Sequence, residues 1–336
     1  MKAFRYDCQT FKLRLTDVPV PSPGAGQALI RVEAAGLCHS DTSLLKGIIR
    51  LPHSSPITLG HEVAGTIVEL GPPAATPPPA SLKPGARVAV AQITHPLAAA
   101  TWAKAIGLGH DGGYAPFALA HTDHLVAIPP AVSFAQAAVA TDAISTAYHA
   151  IVATGGIGPG MTVAVIGMGG LGMSGVAVAA LRGASVYGVD INAAKFAEAL
   201  GKGAVGCAAS IQELRGGGVV FDVVVDFVGV TATTRAAIDA VRGGGTVVLV
   251  GMGESSVRIP SVRMISKGAG LRGSIGASLQ DLHDVLGLIA EGKLKPTLRE
   301  IPFEDVEKAL WSLDREVTGR LYTCPAKGST AVKPNL

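Results

Sequence analysis

The stretch from Met161 to Asp190, MTVAVIGMGGLGMSGVAVAALRGASVYGVD, constrains this chain more than any other. Val163 to Ile166 is a short apolar run that reads as a buried strand. Gly167, Gly169 and Gly172 follow in the order G-x-G-x-x-G, with Gly170 and Leu171 before the last. Small and apolar residues continue to Leu181, long enough for a helix, and Arg182-Gly183 close it. Ser185 to Val189 reads as a second strand and ends on Asp190. Strand, tight turn, helix, strand and acid within about 30 residues form the dinucleotide-binding fingerprint in its structural context.

Each residue type has a physical reason. Gly167 permits the tight turn, Gly169 lets backbone approach a pyrophosphate, and Gly172 lets the helix pack close to the strand. The helix N-terminus then turns unpaired N–H groups towards the phosphates. A carboxylate at Asp190 accepts hydrogen bonds from ribose hydroxyls and repels a 2′-phosphate, so NAD(H) is expected over NADP(H).

On both sides of this stretch the pattern changes. Before it, runs such as Phe11–Leu15, Ala28–Val32, Ala64–Leu70 and Arg87–Ala91 alternate or cluster as antiparallel strands, punctuated by Pro and Gly. From Ser133 to about Val152 the pattern is helical and Ala-rich. After Asp190, strands at Phe221–Val228, Gly245–Val250 and Gly270–Ser274 alternate with helices, as in a doubly wound parallel sheet. Pro302 to Leu313 reads as a helix, Gly319–Tyr322 as a last strand, and the tail from Lys327 as loose. The expected fold class is therefore α/β. A nucleotide-binding domain at 147–282 is inserted into an antiparallel β domain made of 1–146 and 283–336, with the functional cleft between them.

Composition narrows the function classes. A formal charge of +3 on 336 residues, with no Lys/Arg run, gives no footprint for nucleic acid or an anionic membrane. The start MKAFRYD lacks a signal-peptide pattern, and no run of 18 apolar residues reads as a membrane span. Cys8, Cys38, Cys207 and Cys324 are far apart, which fits a reducing cytoplasm.

One group of residues carries metal chemistry. Cys38 sits in a turn, GLCHSD, and is a soft ligand. His61 follows Gly60 and precedes Glu62, and Asp142 lies in TDAISTAYHA. One thiolate, one imidazole and one carboxylate suit tetrahedral Zn2+ with an open fourth position, the arrangement of catalytic sites.

Together, G-L-C-H-S-D, G-H-E-V-A-G, the nucleotide fingerprint with V-D-I-N and a Lys five after the Asp, and the closing G-R-L resemble the zinc-dependent alcohol dehydrogenases of the medium-chain dehydrogenase/reductase family. The resemblance runs from about residue 1 to Pro325. It implies a GroES-like antiparallel β catalytic domain and a Rossmann domain. The activity implied is hydride transfer between NAD(H) and an alcohol, aldehyde or ketone. It also implies that Cys38, His61 and Asp142 are the zinc ligands, with Glu62 behind the metal and able to enter its shell. Asp41 corresponds to the carboxylate that orients the ligand histidine, and Ser40 to the hydroxyl that takes the substrate proton. His39 and Arg320 correspond to pyrophosphate contacts, Thr146 to a neighbour of the nicotinamide, and Lys195 to an adenosine-ribose contact. A homodimer or homotetramer is expected.

Two departures stand out. The family's structural zinc lobe carries four close cysteines, and between Ala91 and Asp111 this chain has none. One zinc per chain is therefore expected, with the lobe held by packing around Trp102. A histidine that many members use to receive the proton is replaced here by Ser43, so water or another histidine, such as His53, would complete the relay. The alternative reading is a zinc-free reductase of the same superfamily acting on an activated C=C bond; it has no use for the Cys/His/acid trio.

Overall fold

A computed structural model describes residues 1–53, 56–74, 79–313 and 319–327. The middle of the Pro-rich loop after Gly71 and the tail beyond Lys327 lie outside the described residues. The chain divides into two compact units, Met1–Asp142 with Ala277–Leu336, and Ala143–Gly276.

Two sheets form among the described residues of the first unit. In the smaller, Lys2–Asp7 pairs antiparallel with Lys12–Asp17 and Ile57–Thr58. The larger runs in the order Leu298–Ile301, Arg320–Thr323, Gln27–Gly36, Glu62–Leu70, Arg87–Val90, Leu125–Ala127, and Phe117–His121 also pairs with Gln27–Gly36. Only the pairing of Leu298–Ile301 with Arg320–Thr323 is parallel. Tyr6, Ile30, Leu37, Leu59, Ile67 and Tyr114 are fully buried in one core. Each such side chain stabilises the fold by about 1.5–3 kcal/mol relative to exposure.

The second unit is a parallel sheet in the order Gly206–Ala208, Ser185–Val189, Thr162–Ile166, Phe221–Asp226, Val241–Leu249, Gly270–Gly273. The helices Gly170–Leu181, Phe196–Gly201, Ile211–Gly216, Thr231–Ala240 and Ser261–Lys267 alternate with these strands. Strand order reverses between Thr162–Ile166 and Phe221–Asp226, which is where such sheets bind their ligands.

Several boundaries differ from the sequence pattern. The strand expected over Phe221–Val228 stops at Asp226, because the Asp226 carboxylate accepts the N–H groups of Val228 and Gly229 and turns the chain. The helical run after Ser133 is not one helix. It passes through α turns at Phe134–Val139 and Ser145–His149 and wider π turns at Ala140–Ile144 and Ala150–Thr154. Its start is a capping box, Ser133 with Gln136, of the kind that contributes about 1 kcal/mol. The helix His39–Leu45 does not stand out in sequence, since HSDTSLL is polar and only seven residues long.

Candidate metal centre and nucleotide fold

Cys38 ends the loop after strand Gln27–Gly36 and caps helix His39–Leu45. Its Sγ accepts the Ser40 N–H at 3.4 Å, and Asp41 Oδ2 reaches back to the Cys38 N–H at 3.3 Å. This local cap holds the thiol and the Asp41 carboxylate on one side of the turn. His61 and Glu62 stand at the start of strand Glu62–Leu70, directly after Gly60. Gly60 has φ +96°, and a Cβ there would overlap the Tyr114 ring. Gly36 has no room for a side chain either, because the Glu62 carboxylate crosses it. Asp142 lies in the middle of the π turn Ala140–Ile144, a form of helix that concentrates at functional sites.

These elements bring Cys38, His61, Glu62 and Asp142 together, all buried, with one ligand atom from each within 4.8 Å of the others. Cys38 Sγ is 3.3 Å from Asp142 Oδ2, and His61 Nε2 is 3.7 Å from the same oxygen. Neither ring nitrogen of His61 makes a hydrogen bond among the described residues, although both are buried. Nδ1 faces Asp41 Oδ1 at 3.3 Å. Burial alone would depress the His61 imidazole. The carboxylates of Asp41 and Asp142 reverse the sign and hold it well above the ordinary histidine value. The pocket thus calls for positive charge at Nε2, which a divalent cation meets. The donor set of sulfur, nitrogen and carboxylate oxygen suits zinc.

The surrounding residues fix this group. The Tyr114 hydroxyl donates to Asp41 Oδ2 at 2.7 Å and lies 3.1 Å from the Gly36 carbonyl. Burial, then the Asp41 charge, lifts the Tyr114 phenol well above its usual value, so it remains a donor. Arg320 is buried. Its guanidinium bonds Glu62 through Nη2 and, at 3.3 Å, through Nε, and its Nη2 lies 3.6 Å from Asp142 Oδ2. Burial raises the Glu62 carboxyl above the usual glutamate range, with Arg320 opposing. The family resemblance implies a pyrophosphate contact for Arg320; in this structure its guanidinium bonds Glu62 and faces the metal cluster. The sequence pattern did not single out Tyr114, whose signal was only an aromatic after Gly-Gly. Ser40 is half-buried, with Oγ 3.5 Å from Cys38 Sγ. His39 is exposed, and its Nε2 is 3.0 Å from the Leu313 carbonyl.

Trp102 does not anchor the lobe between Ala91 and Asp111, since it is 39% exposed. Ile93, Ala105 and Ile106 are buried there instead. Imidazoles clamp the backbone: His53 Nε2 lies 2.7 Å from the Leu108 carbonyl, and His110 spans the Lys104 and Asp111 carbonyls at 3.0 Å each. His53 is therefore engaged in holding this loop.

In the second unit, Gly167 has φ +87° at the strand end, and helix Gly170–Leu181 starts at Gly170 with Leu171 in its first turn and Gly169 as its cap. A Cβ on Gly172 would overlap the Gly167 carbonyl, whereas nothing fills the space beside Gly169. Asp190 is nearly buried. Its Oδ2 accepts the Met168 N–H at 2.8 Å and Lys195 Nζ at 2.9 Å, and its Oδ1 accepts the Asn192 N–H at 2.9 Å. Thr146 is buried in helix Ser145–His149.

Comparison with known proteins agrees with both halves. Residues 24–130 match the alcohol dehydrogenase GroES-like domain, and residues 170–291 match the zinc-binding dehydrogenase domain. An alcohol dehydrogenase of Geobacillus stearothermophilus is 31% identical over 332 residues, spanning 92% of this chain and 94% of the relative. The structure of acetophenone reductase from Geotrichum candidum in complex with NAD superposes with a TM-score of 0.85 at 28% identity, covering 97% of this chain and 98% of that one. A cobalt- and zinc-bound thermostable alcohol dehydrogenase from Pyrobaculum aerophilum gives 0.84 at 27% identity, with coverages of 97% and 99%. The chain belongs to the zinc-dependent alcohol dehydrogenases of the medium-chain dehydrogenase/reductase family, and so is an oxidoreductase. No helix among the described residues is long and apolar enough to cross a membrane.

Proposed function

We propose that this protein interconverts small-molecule alcohols and their aldehydes or ketones, using NAD(H) and one zinc ion held by Cys38, His61 and Asp142. The observation that carries the reading is the buried, unbonded His61 Nε2 facing a thiol and a carboxylate. Bound zinc supplies Lewis acidity, and bound NAD(H) gives or takes the hydride. The chain's own residues do the rest. Asp41 orients His61 through Nδ1, and Tyr114 fixes Asp41. Ser40 Oγ, beside Cys38 Sγ, carries the substrate proton outward. Glu62 is a reserve ligand restrained by Arg320, and Asp190 with Lys195 takes the adenosine ribose. His39 and Arg320 remain our assignments for the pyrophosphate, and Thr146 for the nicotinamide side. The family resemblance supports those three, and Arg320 would have to leave Glu62 to act there.

The domain bounds 1–146 with 283–336, and 147–282, are also our reading; the two compact units support it to within a few residues. We place the protein in the cytoplasm, supported by four cysteines of which none is in a disulfide, and as a homodimer or homotetramer, supported by the family.

The test is a single preparation assayed for zinc and for NADH oxidation against aldehydes, ketones and enones. About one zinc per chain with carbonyl reduction is expected. Zinc-free protein that reduces only enones would refute the reading in favour of C=C reduction.

A further inference from the structure

Asp226 ends the strand beside Thr162–Ile166, with Asp226 in register with Ile166. It is fully buried, yet it is no part of the fingerprint. Its carboxylate accepts four hydrogen bonds. Oδ1 takes the N–H groups of Val228 and Gly229 at 2.9 and 3.0 Å, and Oδ2 takes the hydroxyls of Thr233 and Thr234 at 2.9 and 2.8 Å. Both oxygens are used, one on the loop after the strand and one on the helix that follows, Thr231–Ala240.

The loop so held is not remote. Phe227 N–H bonds the Ile166 carbonyl at 2.9 Å, and the Phe227 ring packs against Gly175 of the fingerprint helix. Val228 packs against Gly167, where a Cβ would meet its Cγ2. The loop is also stitched to the next one: Gly253 and Glu254 donate to the carbonyls of Val228 and Gly229 at 3.0 Å each. Gly229, at φ +70°, lies directly on the Gly251 backbone. Because strand order reverses between Thr162–Ile166 and Phe221–Asp226, a dinucleotide lies between the loops that follow these two strands. The glycine turn is one lip of that crevice, and the Phe227–Val230 loop is the other.

We infer that Asp226 is a positioning residue for NAD(H) binding: it touches no ligand itself but holds the second lip at the separation the dinucleotide needs. This rests on the NAD(H) reading above. Removing the carboxylate leaves buried N–H and hydroxyl groups unpaired, and the loop then shifts to satisfy them.

The test is NADH titration by fluorescence, with steady-state kinetics, on zinc-loaded protein. Asp226→Ala is expected to weaken NADH binding about tenfold or more. KM for NAD should rise in step, with kcat and zinc content within about threefold of the unmutated protein. Asp226→Asn keeps a carbonyl for the two N–H groups and should recover most of the affinity. Thr234→Val, nearly isosteric, guards against an Asp226→Ala protein that does not fold, and should weaken NADH about threefold with kcat preserved. A merely structural role predicts the reverse split, with kcat and active fraction falling while KM for NAD holds, and that result overturns the inference. So does unchanged NADH affinity in both Asp226→Ala and Thr234→Val. If the unmutated protein does not bind NADH, the cofactor reading itself fails.

Discussion

Two regions of the first unit carry histidine, one holding a single imidazole and the other three close together, and they treat them oppositely. At Cys38, His61, Glu62 and Asp142, the His61 nitrogens are buried among acids with no hydrogen bond among the described residues. Beside the cysteine-free lobe, His110 and His121 meet edge to face at 5.8 Å between ring centroids, and His121 and His124 lie tilted at 6.4 Å. There the nitrogens meet backbone: His110 faces the Lys104 and Asp111 carbonyls, and His124 Nδ1 faces the Ala91 carbonyl at 3.0 Å. Acids also differ. Asp123, the carboxylate among the second group, is already paired with Lys104. Histidines near one another do not make a metal site; a buried imidazole whose nitrogens make no hydrogen bond, facing a thiol and carboxylates, does. His110 and His124 do structural work: each neutral ring donates its single N–H to a backbone carbonyl, that of Lys104 or Asp111 for His110 and that of Ala91 for His124.

The largest effect that could break this contrast is at His61. His61→Asn keeps an amide towards Asp41 but removes the Nε2 ligand. Zinc should fall from about one per chain to near zero, and kcat/KM by about 10³-fold, the equivalent of several kcal/mol of lost Lewis-acid stabilisation. Elemental analysis decides it: a variant that still holds a full zinc would show that the metal sits elsewhere.

A smaller effect is expected one shell out. Tyr114→Phe removes the donor from Asp41 Oδ2, so the carboxylate holds His61 less firmly. Zinc affinity, read by chelator competition, should weaken by about 10–100-fold while the fold survives. Unchanged affinity would mean that Asp41 is positioned by its helix cap alone.

The smallest effect sharpens the other side. His110, His121 and His124 all have lowered pKa values, first through burial. Lys104 and neighbouring imidazoles lower His121 and His124 further, while Asp123 opposes. These rings are neutral in the native state, whereas the unfolded chain takes up protons below about pH 6.5. Their contribution is therefore fully present above that pH and is lost as pH falls towards the lowered native values. Tm should drop by a few degrees, roughly, between about pH 7.5 and 5.5. His124→Asn, which retains a donor towards Ala91, should flatten that slope and leave zinc content and kcat unchanged. A slope that does not change would count against neutral rings here.

The amino-acid sequence by itself determined the nucleotide-binding half. Its signals are local: Gly167 to Gly172 and Asp190 act within one strand–turn–helix–strand unit, so spacing along the chain equals spacing in space. Cys38 and His61 were legible as ligand types and Asp142 as a carboxylate, but that they meet rested on the family resemblance and not on spacing, since 104 residues separate Cys38 from Asp142. Tertiary structure alone decided that Asp142 enters through a π turn and that Arg320 turns inward onto Glu62. It also placed Tyr114 behind Asp41, and kept Trp102 at the surface while histidines hold the lobe. The reason is physical. Burial and charge compensation depend on which distant groups share a low-dielectric pocket, and no periodicity in one dimension encodes that neighbourhood.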